Sequence, residues 1–291
     1  MDQAEKLRNI IKIQNQTRSG LARVITVTSG KGGVGKSSIA INLAVEFKRM
    51  GKEVIIFDAD FGLANIEVMF GAIPKYNLSD LIYKGKNIQD ILMEGPYGVK
   101  FVSGGSGIAG LVNLTREQVG FLGYKLRELE SMADVIIVDT GAGISDSVLE
   151  FVSLSSEVLL VTTPEPTSIT DSYALLKALS SKEGFSRDNI AIKMIANRVS
   201  ERKEGVNLFR KLYMVVDKFL HINMEWLGYV PYDGHVSKAI MQQKPVTVAY
   251  PAATASKAIQ NLAFRLLDQD KEGMKRRGIS QIIWKLFKVK E

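Results

Sequence analysis

The sequence predicts a doubly wound α/β fold, a mainly parallel sheet with helices on both faces. Three observations carry this. From Val24 onward, short β-branched runs alternate with amphipathic stretches of helical length, the order that builds parallel sheets. The strand runs are continuously apolar, as in strands covered on both faces. The first of them leads into the glycine-rich SGKGGVGKSS of Ser29–Ser38, and a strand, a loop of this kind and a helix together form a phosphate-binding unit.

Taken in order, strands are expected near Val24–Thr28, Glu53–Asp58, Val99–Ser103, Val135–Asp139, Glu157–Thr162, Asn189–Ala196 and Met224–Val230. Helical periodicity marks Ser37–Met50, Thr115–Met132, Thr167–Ser180, Glu204–Leu220 and Ala253–Leu267. Ligands of such a sheet belong at the carboxyl ends of its strands. The segment GSGIAG at Gly105–Gly110 matches a dinucleotide fingerprint, but that fingerprint belongs after the first strand, where the phosphate loop already sits. It reads as a loop.

The chain has 291 residues, 46% of them hydrophobic, which is ample for one α/β core. The expected organisation is an N-terminal extension over 1–23, a nucleotide-binding domain over 24–270 and a basic tail over 271–291. No apolar run is long enough to span a membrane and no signal-peptide core opens the sequence, so a cytoplasmic location is expected. There are no cysteines and two histidines, His221 and His235, which excludes disulfides, thiolate zinc sites and cysteine-held iron–sulfur clusters. The net charge of +7 is uneven: residues 1–23 carry +3, residues 271–291 carry +5, and the body is close to neutral at −1. That pattern does not suggest a nucleic-acid-binding surface, and no specific nucleic acid is expected as a partner.

Within the phosphate loop, Gly30, Gly32, Gly33 and Gly35 let the backbone curl around an anion, with Val34 between them and Ser38 opening the helix. Lys36 can reach the β- and γ-phosphates, and Ser37 can ligate Mg²⁺. A second lysine, Lys31, stands at the loop entry with no evident role inside its own subunit. After the second strand, FDADFGLAN places Asp58 and Asp60 on the same rim, where two carboxylates can organise Mg²⁺ and a water. The fourth strand ends in VIIVDTGAG, which sets Asp139 as a metal-binding carboxylate and offers the Gly141–Gly143 turn to a γ-phosphate.

KGGVGKS with the extra Lys31, the D-x-D of Asp58 and Asp60, and DTGAG at Asp139 resemble the deviant Walker A ATPases typified by MinD and ParA, over roughly 24–270. The resemblance implies ATP and ADP with Mg²⁺ as cofactors and slow, dimer-coupled hydrolysis. It gives Lys31 a role across an ATP-sandwiched homodimer, makes Asp60 the positioner of the attacking water, and assigns adenine contacts to Asn197, Arg198, Pro231, Tyr232 and Asp233. No guanine-reading N-K-x-D motif is evident, so adenine is favoured.

The two ends carry further expectations. Ile279, Ile282, Ile283, Leu286 and Phe287 form one apolar stripe surrounded by basic residues, with Trp284 suited to a headgroup boundary. This reads as an interfacial helix binding an anionic membrane surface reversibly, or as a terminal helix docked on its own body, or as each in turn. Near the other end, Leu7, Ile10 and Ile11 lie on one side of a helical pattern. Asp2, Gln3, Ala4, Leu7 and Arg8 spell D-Q-A-x-x-L-R, which is similar to the activator segment of the FlhG group (FleN, YlxH), MinD-like regulators of flagellar number and placement. That resemblance implies the GTPase FlhF and the C-ring proteins FliM and FliY as partners. A division-site ATPase of the MinD kind and a DNA-partitioning ATPase of the ParA kind are the competing readings.

Overall fold

A computed structural model describes residues 21–60, 65–105, 116–182, 185–186, 189–268 and 277–286. The D-Q-A-x-x-L-R segment, most of GSGIAG, the GLA of the Asp60 loop, the Leu286 side chain and Phe287 lie outside the described residues.

Eight strands form one sheet: β1 Arg23–Ser29, β2 Val54–Ala59, β3 Leu92–Glu94, β4 Lys100–Val102, β5 Val135–Ala142, β6 Glu157–Thr162, β7 Ala191–Val199 and β8 Met224–Pro231. Their spatial order is β3-β4-β2-β5-β1-β6-β7-β8. All pairs are parallel except β3 with β4. The helices are α1 Lys36–Arg49, α2 Asn65–Phe70, α3 Leu78–Tyr83, α4 Ile88–Ile91, α5 Arg116–Ser131, α6 Asp146–Leu154, α7 Pro166–Ser180, α8 Arg202–Leu220, α9 Gly234–Met241, α10 Val246–Ala249, α11 Thr254–Asp268 and α12 Ile279–Leu286.

The predicted architecture is therefore present, and β3 is an addition to it. Three residues cannot show a periodicity, and this strand closes the sheet edge antiparallel to β4. One apolar layer joins α1, α2 and α11 to one face of the sheet through Ile41, Phe47, Phe70 and Ile259. The other face carries two clusters, one under α3, α4, α5 and α12 and one under α6, α7 and α8. A buried charge group spans three strands at the foot of the sheet. Arg23 donates to Glu157 at 2.8 Å from both Nε and Nη2 and to the Leu266 carbonyl at 2.7 Å, and Lys193 donates to Glu157 at 2.9 Å. Burial works against the Glu157 charge, but Arg23 and then Lys193 outweigh it and hold the carboxyl below its usual range.

The C-terminal stripe takes one of the arrangements expected of it, docked on the body of the chain. Ile279, Ile282 and Ile283 face α5 and α6, where they are buried with Ala22, Leu122, Leu126 and Leu129. Covering three isoleucines contributes about 5–9 kcal/mol to keeping α12 in place. The helix start is pinned as well: Ser280 N–H donates to Glu130 at 2.7 Å, Arg277 N–H to Ser156 Oγ at 3.0 Å, and Arg277 Nη1 to the Leu154 carbonyl at 3.2 Å. A Cβ at Gly278 would collide with the Glu130 carboxylate. The apolar side of this helix thus completes the core of the domain, and 279–286 are structurally part of it.

Candidate nucleotide site

Strand register builds the site. Asp58 on β2 is directly opposite Asp139 on β5, and Asp139 is opposite Val27 on β1, just ahead of the phosphate loop. Three neighbouring strands therefore deliver their carboxyl ends to one point. The loop turns through left-handed backbone at Gly33 (φ 77°) and Gly35 (φ 94°), where a side chain would be strained. Gly35 caps α1 without a side-chain hydrogen bond, and the first turn of α1 holds no acid. Its N–H groups and dipole are left for an anion.

Lys36 is buried and its Nζ donates to Asp139 Oδ1 at 2.6 Å. Burial raises the Asp139 carboxyl above its usual range, opposed by Lys36 and by a hydrogen bond from Ser37. Asp58 is pushed up to about 8, first by burial and then by Asp139. One oxygen of each, Asp58 Oδ2 and Asp139 Oδ2, is buried without a hydrogen-bond partner. Two neighbouring acceptors that lack donors, beside the Ser37 hydroxyl, suit a hard cation with oxygen ligands. Among the described residues no group of three or more His, Cys, Asp or Glu forms a metal cage, so the cation fits as one shared with phosphate oxygens. Asp60 is fixed beside them: its N–H donates to Asp58 Oδ1 at 3.0 Å and Asn65 Nδ2 donates to Asp60 Oδ2 at 3.1 Å.

Lys31 lies apart from this cluster. Its Nζ donates to Glu165 Oε2 at 2.6 Å and to Thr167 Oγ1 at 2.8 Å, at the start of α7. That ammonium holds the Glu165 carboxyl below its usual range. Gly30 packs so closely on the α7 backbone at Asp171 that a Cβ there would collide with it.

Several expected contacts are otherwise engaged. Gly143 N–H donates to the Ser29 carbonyl at 2.9 Å, so this amide supports the phosphate loop instead of facing a γ-phosphate. Asn197 donates to the Val34 carbonyl at 2.7 Å, bracing the loop from β7; a Cβ at Gly35 would meet its Nδ2 at 2.5 Å. Arg198 follows in left-handed backbone at φ 58°. Pro231 ends β8 and Tyr232 is exposed beside it. Asp233 caps α9 and ties it to α11 through His235 N–H at 2.9 Å, Thr254 Oγ1 at 2.8 Å and Ala255 N–H at 3.2 Å. Burial opposes its charge, but those donors hold its carboxyl well below the ordinary range. Sequence reasoning missed Glu165, Thr167 and Asn65. Glu165 and Thr167 flank Pro166 at a helix start, a visible cap signal that does not reveal its partner across the fold.

Fold and site together define a P-loop NTPase. The family model for ParA, described as NUBPL iron-transfer P-loop NTPase, matches residues 20–267. Antiactivator FleN of Pseudomonas aeruginosa is 43% identical over 83% of this chain and 85% of its own length. Flagellum site-determining protein YlxH of Helicobacter pylori is 32% identical over 94% and 96%. Among solved structures, Pyrococcus horikoshii MinD complexed with Mg-ADP aligns with a TM-score of 0.68 at 22% identity, covering 84% of this chain and 96% of that one. A chain of the MinC:MinD cell division protein complex of Aquifex aeolicus aligns at 0.66 and 24%, covering 88% and 100%. The chain belongs to the ParA family of P-loop NTPases and is an ATPase of the MinD/ParA type, a family that uses ATP and Mg²⁺. With no cysteine in the sequence, it has no thiolate with which to hold an iron–sulfur cluster.

Proposed function

We propose that this protein is an ATP-switched regulator of flagellar number and placement, monomeric with ADP and paired through ATP, which acts at the inner membrane surface. The relatives FleN and YlxH support the flagellar assignment. The observation that carries the switch is Lys31: a cation in the phosphate loop, held at 2.6 Å by Glu165 instead of aimed into its own site.

In the proposed cycle, the amides of Gly33–Ser37 and the Lys36 ammonium hold the triphosphate, with Lys36 leaving Asp139 to do so. Ser37 and Asp139, with Asp58 behind them, would hold Mg²⁺, whose charge would offset that of the phosphates. Asp60, positioned by Asn65, orients the attacking water. The partner subunit's Lys31 completes the site from outside, so hydrolysis requires the pair. A charge supplied in this manner is worth about 10³–10⁵ in rate in comparable GTPases. The Asn197, Arg198 and Pro231–Asp233 segments would flank the adenine.

The N-terminal Asp2, Gln3, Ala4, Leu7 and Arg8 would stimulate FlhF, and the C-ring proteins FliM and FliY are the further partners. The C-terminal tail would supply contact with anionic lipid; the described residues contain no helix long and apolar enough to cross a membrane. Light-scattering mass with ADP and with a non-hydrolysable ATP analogue tests the switch. A doubled mass with the analogue alone is expected, abolished by Lys31→Ala. One unchanged species in both conditions refutes it.

A further inference from the structure

A nucleotide has two ends, and this fold serves them from separate pieces of chain. The phosphates belong to the loop after β1 and the first turn of α1. The turn that would flank the base follows β8 and runs on through α9 and α10 into α11. In the sheet, β6 and β7 stand between β1 and β8, so strand pairing ties the two ends together only through two intervening strands. A shorter tie crosses one face of the sheet. Asn42, in the middle of α1, is 1% exposed. Its Nδ2 donates to the Ser38 carbonyl at 2.8 Å, in the first turn of its own helix, and its Oδ1 accepts the Thr247 N–H of α10 at 3.0 Å. Further along α1, Arg49 Nη1 donates to the Thr247 carbonyl at 3.0 Å and to Glu46 at 2.6 Å. Both backbone groups of Thr247 are thus bonded to the helix that carries the phosphate site.

From α10 the contacts lead on to the base turn. Ser256 Oγ lies 3.0 Å from the Val246 carbonyl and 2.7 Å from the Tyr250 carbonyl. The Tyr250 ring packs on His235 with centroids 4.7 Å apart. His235 N–H donates to one oxygen of Asp233, and the other takes Thr254 Oγ1 and the Ala255 N–H. Residues 233–256 therefore form one bonded unit that begins at the base turn and is bolted to α1 at Thr247.

We infer that Asn42 is a positioning residue for the nucleotide: it fixes the spacing between the phosphate cradle and the base turn, so that one ligand engages both at once. The inference rests on the reading above that Pro231–Asp233 flank the adenine. Two modest sites act as one strong site when their separation matches the ligand, because the second contact is then made within the complex. With the spacing loosened, the phosphates still bind and the base adds little. An amide suits this task, since it donates to one carbonyl and accepts from one N–H while carrying no charge near the phosphates.

Calorimetric titration of the full chain with Mg-ADP, Mg-GDP and Mg-pyrophosphate tests this, because pyrophosphate reports on the cradle alone. In Asn42→Ala the Ser38 carbonyl keeps its helical backbone hydrogen bond, so the Kd for pyrophosphate is expected to change less than about twofold. The Kd for ADP should rise about tenfold or more, and the preference for ADP over GDP should shrink. Equal weakening of ADP and pyrophosphate overturns the inference, since Asn42 would then only shape the cradle; so does wild-type binding of both. The alanine leaves the Thr247 N–H buried without an acceptor. If that variant fails to fold, Glu46→Gln with Arg49→Met decides, for it removes the second bond to Thr247 without stranding a charge. It should raise the ratio of the ADP Kd to the pyrophosphate Kd about threefold, and an unchanged ratio overturns the inference while leaving the base reading intact. A wild-type chain that binds ADP no tighter than pyrophosphate refutes both readings.

Discussion

Asp58→Asn should stabilise the protein when neither nucleotide nor Mg²⁺ is present, and should remove a pH dependence. Asp58 is opposite Asp139 in the sheet, and its carboxyl is raised from an ordinary 3.8 to about 8, first by burial and then by that neighbour. The folded state thus holds this proton more tightly than the unfolded chain does. Its contribution is complete below about pH 4, is lost progressively as pH rises toward about 8, and is flat above that. Fully expressed, the displacement corresponds to about 6 kcal/mol. Lys36 and local relaxation reduce it, so about 3 kcal/mol is expected at pH 8. Asparagine keeps an oxygen for the Asp60 N–H and carries no charge, so its melting temperature at pH 8 should exceed wild type by about 6 °C. Thermal unfolding in EDTA at pH 5, 6.5 and 8 measures this. Parallel curves for the two proteins would refute the reasoning, because the wild-type slope would then come from elsewhere. With Mg²⁺ and ADP added the order should reverse, since the variant has lost a carboxylate near the cation.

Lys36→Ala is expected to abolish nucleotide-dependent pairing, read as solution mass with the ATP analogue. Asp60→Ala should leave ATP bound but unhydrolysed and the pair persistent; normal phosphate release would remove its assignment. Glu165→Gln frees Lys31 from its local carboxylate and should lower the analogue concentration needed for pairing, by a few-fold in a titration. Glu157→Gln leaves Arg23 and Lys193 buried without their shared anion and should cost about 3–5 kcal/mol in urea unfolding. Gly30→Ala drives a methyl into the α7 backbone at Asp171 and should weaken nucleotide affinity in a fluorescent-ADP titration, with helix content retained by circular dichroism.

Much of this molecule is legible in its sequence because the signals are local. β-branched runs announce the central strands, and the glycines from Gly30 to Gly35 announce the loop between β1 and α1. Asp58 and Asp139 could be placed at strand ends, but their apposition comes from the order β2-β5-β1, which no local pattern encodes. Asn197 was legible as a residue beyond a strand, yet its hydrogen bond to the Val34 carbonyl depends on how β7 approaches the loop. Asp233 enters the sequence reading only through the resemblance, as an adenine contact, and the structure makes it a cap linking two helices. The stripe at Ile279, Ile282 and Ile283 illustrates a different limit. Helical spacing reports that one side is apolar, and only packing decides whether protein or lipid covers it.

The position of α12 also has a consequence during synthesis. It covers Leu122, Leu126 and Leu129 of α5, which leave the ribosome some 150 residues earlier in the chain. At about 5–20 residues per second, that leucine ridge waits roughly eight to thirty seconds for its cover. A nascent chain stalled or cleaved short of Ile279 therefore presents a greasy seam to chaperones and proteases, giving the cell a physical means of telling unfinished copies from finished ones.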